Sequence, residues 1–300
     1  MEYKDQFETF GDGLLVRAPA KINLSLLIAG KRDDGFHEIE TLMTKVNFYD
    51  EILLQTSQRG DIELTCNGPY WSPAGRENLV YQACKLLLEN YPLKKNIKIT
   101  LTKNIPAGSG LGSASSDAAA TLKGLNKLLG LNYNIEKLRK LAIQLGSDVA
   151  FFLDGPLAIC TGKGEKIEKI KKIFNFYAIL ILPGISVSTK RVYENYSHNQ
   201  SLYKSLNTQI NKYFEKNRFD LIAKMCANML QESCFSLHGE IEELKNSIED
   251  LNIGPLCLSG SGSTMFYIYG LSDEQTAKKD QRKIAEAIGC ESILVSNNRW

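Results

Sequence analysis

Between Ile97 and Leu129 the sequence passes from an alternating apolar run, through a segment rich in glycine and serine, into an alanine-rich amphipathic run. Ile97, Ile99 and Leu101 alternate with Lys98, Thr100 and Thr102, the period of a half-buried strand. NIPAGSGLGSASSD follows, and then AAATLKGLNKLL. A glycine turn between a strand and a helix presents several backbone N–H groups, with no side chains in the way, at the positive end of the helix. That is an anion seat, and phosphate is the usual anion. The spacing is neither the Walker pattern G-x-x-x-x-G-K-[ST] nor the dinucleotide pattern G-x-G-x-x-G. Glycine and serine also make flexible linkers, but here a strand and a helix close in on both sides.

Bulk properties narrow the classes. Three hundred residues, 43% hydrophobic and 23% charged, are those of an ordinary globule with a real core. A net charge of +2 creates no field that would argue for nucleic acid or an anionic membrane as partner. The opening MEYKDQFETFGDG is too polar for a signal peptide, and no apolar run approaches a membrane span. Seven cysteines without a C-x-x-C pair read as reduced thiols of a cytoplasmic protein. With only His37, His198 and His238, a structural zinc site is not expected.

Along the chain, LLVRAPA, KINLSLLIAG, EIETLMTKV, EILLQT and DIELTC read as separate strands, divided by turns such as KRDDG and SQRGD. Glu77 to Asn90 and Ile135 to Leu145 read as amphipathic helices, and Leu157 to Thr161 and Ala178 to Leu182 as strands. From about Thr189 to Asp250 the pattern is mostly helical. LCLSGSGSTMFYIYG reads as strand, tight turn, strand, before a last helix (about 273–288) and the strand ESILVS. The expectation is an α+β chain of two lobes, residues 1–172 and 173–300, joined near Lys171 to Asn175. Within the lysine run from Lys163 to Lys172, Ile167, Ile170 and Ile173 are expected to turn inward.

Several residues could carry chemistry. Asp148, in LGSDVAFFL, reads by itself as a helix N-cap. If Ile22, Leu24 and Leu26 face one way on their strand, Lys21, Asn23 and Ser25 face the other. Phe36 and His37 follow a charged turn and could be plain core and surface. Ser259-Gly260-Ser261-Gly262-Ser263 could be a hairpin turn.

P-x-x-x-G-L-G-x-x-S-S-D-A-A, present as Pro106 to Ala119, resembles the ATP-phosphate loop of the GHMP kinases. APAKINLSLLIAGKRDDGFHEIET, LGSDVAFFL, TGKGEKI, LPGISVSTKRVYENY and LSGSGSTMF resemble further blocks of that family, in its order. The resemblance implies a two-lobe GHMP kinase fold with the site in the cleft between lobes, and ATP and Mg2+ as cofactors. It implies that the phosphates are held by Pro106, Ala107, Gly108, Ser109, Gly110, Leu111, Gly112, Ser113, Ala114, Ser115 and Ser116. Ser113 and Ala114 stand where the family usually has glycine, which small side chains tolerate if φ stays negative. It further implies Asp148 as the base that accepts the substrate's hydroxyl proton and Lys21 as the cation that stabilises charge beside it. Asn23 would bind substrate next to Lys21. Phe36, His37 and Tyr193 would hold a cytosine ring, which points to a small-molecule substrate, a cytidine diphosphate conjugate of methylerythritol. Sister kinases act instead on homoserine or mevalonate. The second glycine turn would support the substrate side. No Mg2+ ligand is fixed by the sequence; Asp148 and the hydroxyls of Ser115 and Ser116 are the candidates. A monomer or weak homodimer is expected.

Overall fold

Apolar alternation in the first third of the chain condenses into one long hairpin. In the computed structural model, which describes residues 4–58, 62–90 and 96–300, LLVRAPA and KINLSLLIAG form a single strand. It is β2 (Gly13–Lys31), preceded by β1 (Phe7–Phe10) and followed by β3 (His37–Ser57). EIETLMTKV and EILLQT are likewise merged in β3. Where the breaks are expected there is a register shift instead, Pro19/Ala20 against Tyr49/Val46, and two further shifts fall inside KINLSLLIAG, at Asn23/Ser25 and Ile28/Gly30. A one-residue slip exchanges the faces of a strand, so these irregularities let one strand present apolar side chains first to one neighbour and then to another. Of the SQRGD turn, residues 59–61 lie outside the described residues.

β4 (Ile62–Asn67) pairs parallel with β5 (Asn96–Thr102) through a crossover containing α1 (Leu79–Glu89). Asn78 starts α1 by accepting from the Val80 N–H at 2.8 Å. After β5 come α2 (Ser113–Leu128), α3 (Ile135–Leu145), α4 (Val149–Leu153), β6 (Leu157–Gly162) and β7 (Lys166–Lys169). The sheet runs β1-β2-β3-β5-β4, with β6 on the other half of β3 and β7 beyond it. β3 is long enough to pair with β5 through Glu51–Ser57 and with β6 through Ile39–Thr44.

The chain is irregular over residues 170–176, where one expectation fails. Ile167 and Ile170 pack against the cores, but Ile173 is 76% exposed. Ile173 lies in the irregular segment, where no strand pairing turns its side chain toward a core. β8 (Tyr177–Leu182) then opens the second lobe, with α5 (Thr189–Glu194), α6 (Gln200–Glu215), α7 (Phe219–Lys224), α8 (Gln231–Leu237) and α9 (Gly239–Glu249). β9 (Cys257–Leu258), β10 (Met265–Tyr269), α10 (Glu274–Ile288) and β11 (Glu291–Ser296) complete it, in a sheet ordered β11-β8-β10-β9.

β2 threads three hydrophobic clusters. Val16 and Ala18 join the first, beneath the alanines of α2. Ala20, Ile22 and Leu24 join a second, with Phe176, Ala178 and Phe266. Leu26, Leu27 and Ile28 enter the third, among the helices of the second lobe. A strand of the first lobe's sheet is thus also packing surface for the second.

Candidate active site

A cavity of about 1090 Å³ opens between the lobes, a size that suits a small-molecule site. Its wall includes Lys21 and Asn23 from β2, residues 106–110 and 112–115 of the glycine segment, Asp148, and Phe36, His37 and Tyr193. Residues far apart in sequence are therefore brought to one place.

The glycine segment leaves β5 and enters α2. Gly108, Gly110 and Gly112 all have positive φ, at 66°, 81° and 70°. At Gly110 a Cβ would stand 2.1 Å from the Ser259 carbonyl oxygen, and at Gly112 it would stand 2.9 Å from the Phe152 ring. Only glycine meets both demands, positive φ and close approach. Gly112 caps α2 without a side-chain bond, so the first N–H groups of the helix stay available to an anion. Ser113 and Ala114 already lie in the helix, where φ is negative, and so do not disturb the loop path. Leu111 and Ser116 are buried and do not line the cavity; the Leu111 side chain lies in the core, while its carbonyl accepts from the Lys21 N–H at 3.0 Å.

Lys21 is 4% exposed. Its ammonium donates to Asn23 Oδ1 at 2.7 Å and to the Gly110 carbonyl at 2.5 Å, leaving a third donor for the cavity. Burial lowers its pKa; the charge of Asp148 acts in the opposite sense. Asn23 is largely committed to the protein, since its amide nitrogen donates to Thr41 Oγ1 at 2.7 Å. Its first task is to fix Lys21.

Asp148 occupies the N-cap position of α4, yet its side chain makes no capping hydrogen bond. Its contact with Ser147 Oγ is long, at 3.4 Å. The carboxylate faces the cavity instead. Among the described residues it forms no ion pair with Lys21, and the coupling between them is through space. α4 is held from its other end. Lys45, opposite Lys21 in the β2–β3 register, is wholly buried and donates to the Phe152 and Asp154 carbonyls at 3.1 and 2.5 Å. Asp154, in turn, is bound by Arg139 at 2.8 Å and by Lys169. Burial lowers the Lys45 pKa well below the ordinary lysine value, and its amine serves here as a hydrogen-bond donor to carbonyls that the helix end leaves unpaired.

The three residues expected to hold a ring do not stand side by side. His37 packs on Tyr193 with centroids 5.2 Å apart and meets Tyr196 edge-on at 5.7 Å. Phe36 is 58% exposed at the rim, with the Lys163 ammonium 4.6 Å from its centroid. Burial first, then Lys31 and His198, lowers the His37 pKa, which favours the neutral imidazole.

The second glycine turn docks on the first. Ser259 Oγ donates to the Gly110 carbonyl at 3.0 Å, and the Thr264 N–H donates to the Ser109 carbonyl at 3.0 Å. Asn228 holds this turn through the Leu258 and Gly260 carbonyls, at 2.7 and 2.8 Å. Thr189 also lines the cavity, its hydroxyl 2.9 Å from that of Ser261. Thr189 falls within the LPGISVSTKRVYENY block, whereas Asn228 carries no sequence signal beyond an ordinary polar residue in a helical region.

Beneath the glycine loop lies a buried charge cluster that the sequence reading did not find. Lys103 contacts Asp50 and Ser113 and reaches Asp117 at 2.6 Å. Asp117, in SSDAA, and Lys103, in LTKNIP, stand at the loop's ends; Asp50 comes from β3. Burial, then Asp50, raises the Asp117 pKa well above the usual carboxylate value.

The family model described as GHMP kinases N terminal domain matches residues 78–156, and that for GHMP kinases C terminal matches 210–289. The chain belongs to the GHMP kinases. It is 41% identical over 253 residues to the 4-diphosphocytidyl-2-C-methyl-D-erythritol kinase of Bacillus cereus, covering 84% of this chain and 87% of that one. The protein of the same name from Bacillus anthracis is 40% identical over the same shares. A solved structure of 4-(cytidine 5'-diphospho)-2C-methyl-D-erythritol kinase has a TM-score of 0.71 at 28% identity, covering 95% of this chain and all of the other (100%). The homoserine kinase of Cytophaga hutchinsonii reaches a TM-score of 0.76 at 23% identity, covering 99% and 98%, a likeness of fold alone.

Proposed function

We propose that the chain is an ATP-dependent kinase that transfers the γ-phosphoryl group to a hydroxyl of 4-diphosphocytidyl-2-C-methyl-D-erythritol, in the methylerythritol phosphate route to isoprenoids. The observation that carries this reading is the shared cavity: the glycine loop, Lys21, Asp148 and the His37–Tyr193 ring pair all line it. Phosphoryl transfer asks mainly for positioning and charge. Backbone N–H groups of the loop and of the first turn of α2 would hold the phosphates, each good charge-assisted bond contributing about 1.5–3 kcal/mol. Asp148 would accept the hydroxyl proton, and Lys21 would stabilise charge on the oxygen. His37 and Tyr193, with Phe36 at the rim, would hold the cytosine.

Mg2+ fits the donors present. Among the described residues no three His, Cys, Asp or Glu side chains gather as a metal site, but Asp148 and the Ser115 hydroxyl both face the cavity. Those two, with phosphate oxygens and water, suit a hard ion that keeps much of its hydration. When bound it supplies charge neutralisation to the phosphates. Ser116 is turned away from such a role by burial. The reading also takes the chain to be cytoplasmic, a monomer or weak homodimer acting on a small molecule. Its free thiols suit a reducing compartment; among the described residues no helix is long and apolar enough to cross a membrane.

ATP consumption followed by a coupled assay should depend on the cytidine diphosphate conjugate and not on homoserine or mevalonate. Turnover with either of those alcohols, and none with the conjugate, would overturn the assignment. Lys21→Met should lower kcat far more than it raises KM, because the charge acts chiefly in the transition state. The active form is the ammonium, so kcat/KM should fall as pH rises through the Lys21 pKa, which burial holds below the ordinary lysine value. An unchanged kcat in the variant, or an alkaline limb that survives it, would remove Lys21 from this role.

A further inference from the structure

Asp50 is fully buried, and four donors converge on its carboxylate. Oδ1 accepts from the backbone N–H of Asn104 at 2.6 Å and of Ile105 at 2.9 Å, the first residues of the glycine segment. Oδ2 accepts from Ser113 Oγ at 2.8 Å, at the first helical position after the segment, and from the Lys103 ammonium. Lys103 itself also contacts Ser113. The chain therefore leaves Asp50 at residue 104 and returns to it at residue 113.

We propose that Asp50 is a positioning residue for the nucleotide: it clasps the two ends of the 104–113 segment and so sets the curvature of the phosphate-holding loop. Loops fixed only by their own backbone lose affinity to the entropy of ordering. Here that cost is met on folding, by a carboxylate that never touches the ligand. The proposal rests on the reading of this loop as a nucleotide site. It does not depend on which alcohol is phosphorylated.

Asp117 provides the internal comparison. Its Oδ2 meets Lys103 at 2.6 Å, while its Oδ1 is buried without a partner. Asparagine at 117 can keep one oxygen on Lys103 and put its amide where nothing is bonded. Asparagine at 50 must point an amide NH2 at groups that are themselves donors. Each change replaces one carboxyl group of the same cluster by an amide, and the two differ in how many donors they strand.

The test is binding of ADP and of a non-hydrolysable ATP analogue by calorimetry, alongside KM for ATP and for the acceptor. Asp50→Asn should weaken nucleotide binding and raise KM for ATP by about tenfold or more, the order of one lost charge-assisted bond. KM for the acceptor should stay near wild type, and Asp117→Asn should bind nucleotide like the wild type. Equal losses in both Asn variants, or a folded Asp50→Asn protein with unchanged nucleotide affinity, would overturn the clasp. If Asp50→Asn does not fold, Ser113→Ala carries the test: it removes only the hydroxyl that returns the loop to Asp50. A several-fold weaker ADP affinity supports the proposal, and unchanged affinity overturns it. Loss of acceptor turnover in the wild type, with nucleotide still bound, would instead count against the proposed reaction.

Discussion

Asp148→Asn is expected to lower kcat by about 10²–10⁴-fold, the usual contribution of a positioned proton acceptor, while the protein melts at the wild-type temperature. The two halves of this result come from one structural fact. Asp148 sits where a helix cap would, but it makes no capping bond, so its carboxylate carries no share of holding α4. The C-terminal end of that helix is fixed by Lys45 through the Phe152 and Asp154 carbonyls. An amide at 148 keeps the shape and loses the basicity. Steady-state kinetics beside thermal melts would check it. A variant that loses stability along with activity would show that Asp148 is a cap after all, and a variant with wild-type kcat would show that the proton goes elsewhere.

The second large effect is expected at Gly110. Alanine there must accept a φ of 81° and place a Cβ 2.1 Å from the Ser259 carbonyl oxygen. The left-handed backbone costs about 1–2 kcal/mol, and forcing a methyl into filled space costs about 1–3 kcal/mol more. The neighbour is backbone and cannot rotate aside. Relief must come from separating the two glycine turns, which also moves the carbonyl that accepts from Lys21. A lower melting temperature, a higher KM for ATP and a reduced kcat should therefore appear together. Gly110→Ala with the melting temperature and kinetics of the wild type would mean that the two turns are not in contact.

What the sequence disclosed, and what it hid, follows from the range of the interactions. The alternation at Ile97, Ile99 and Leu101 is local and reappears as three buried residues of β5. The helix Ile135–Leu145 is likewise local, with its cap at Asn134. Long-range pairing is not. β2 reads as two pieces because Ala18, Pro19 and Ala20 interrupt the alternation, whereas the structure absorbs that interruption as a register shift at Pro19/Ala20 within one hairpin. Ile173 fits a periodic pattern, yet there is no strand beneath it. Lys21, Asp148 and the loop were found through blocks with a family likeness. Asp50 and Lys45 lie in plain strand sequence, and only the neighbours brought by folding show why ionisable groups stand there. The Phe36 ring illustrates the same limit: sequence implies an aromatic beside the base, and folding puts His37 against Tyr193 and leaves Phe36 at the rim.

A strand that borrows its covering from both sheets ties their fates. Ala20, Ile22 and Leu24 are shielded by Phe176, Ala178 and Phe266, so neither sheet can come apart without wetting the other. Heating should produce one calorimetric transition for the whole chain, and two separated peaks would contradict it. Any rocking of the cleft must then be taken up by turns and side chains at its mouth, because the floor beneath is continuous.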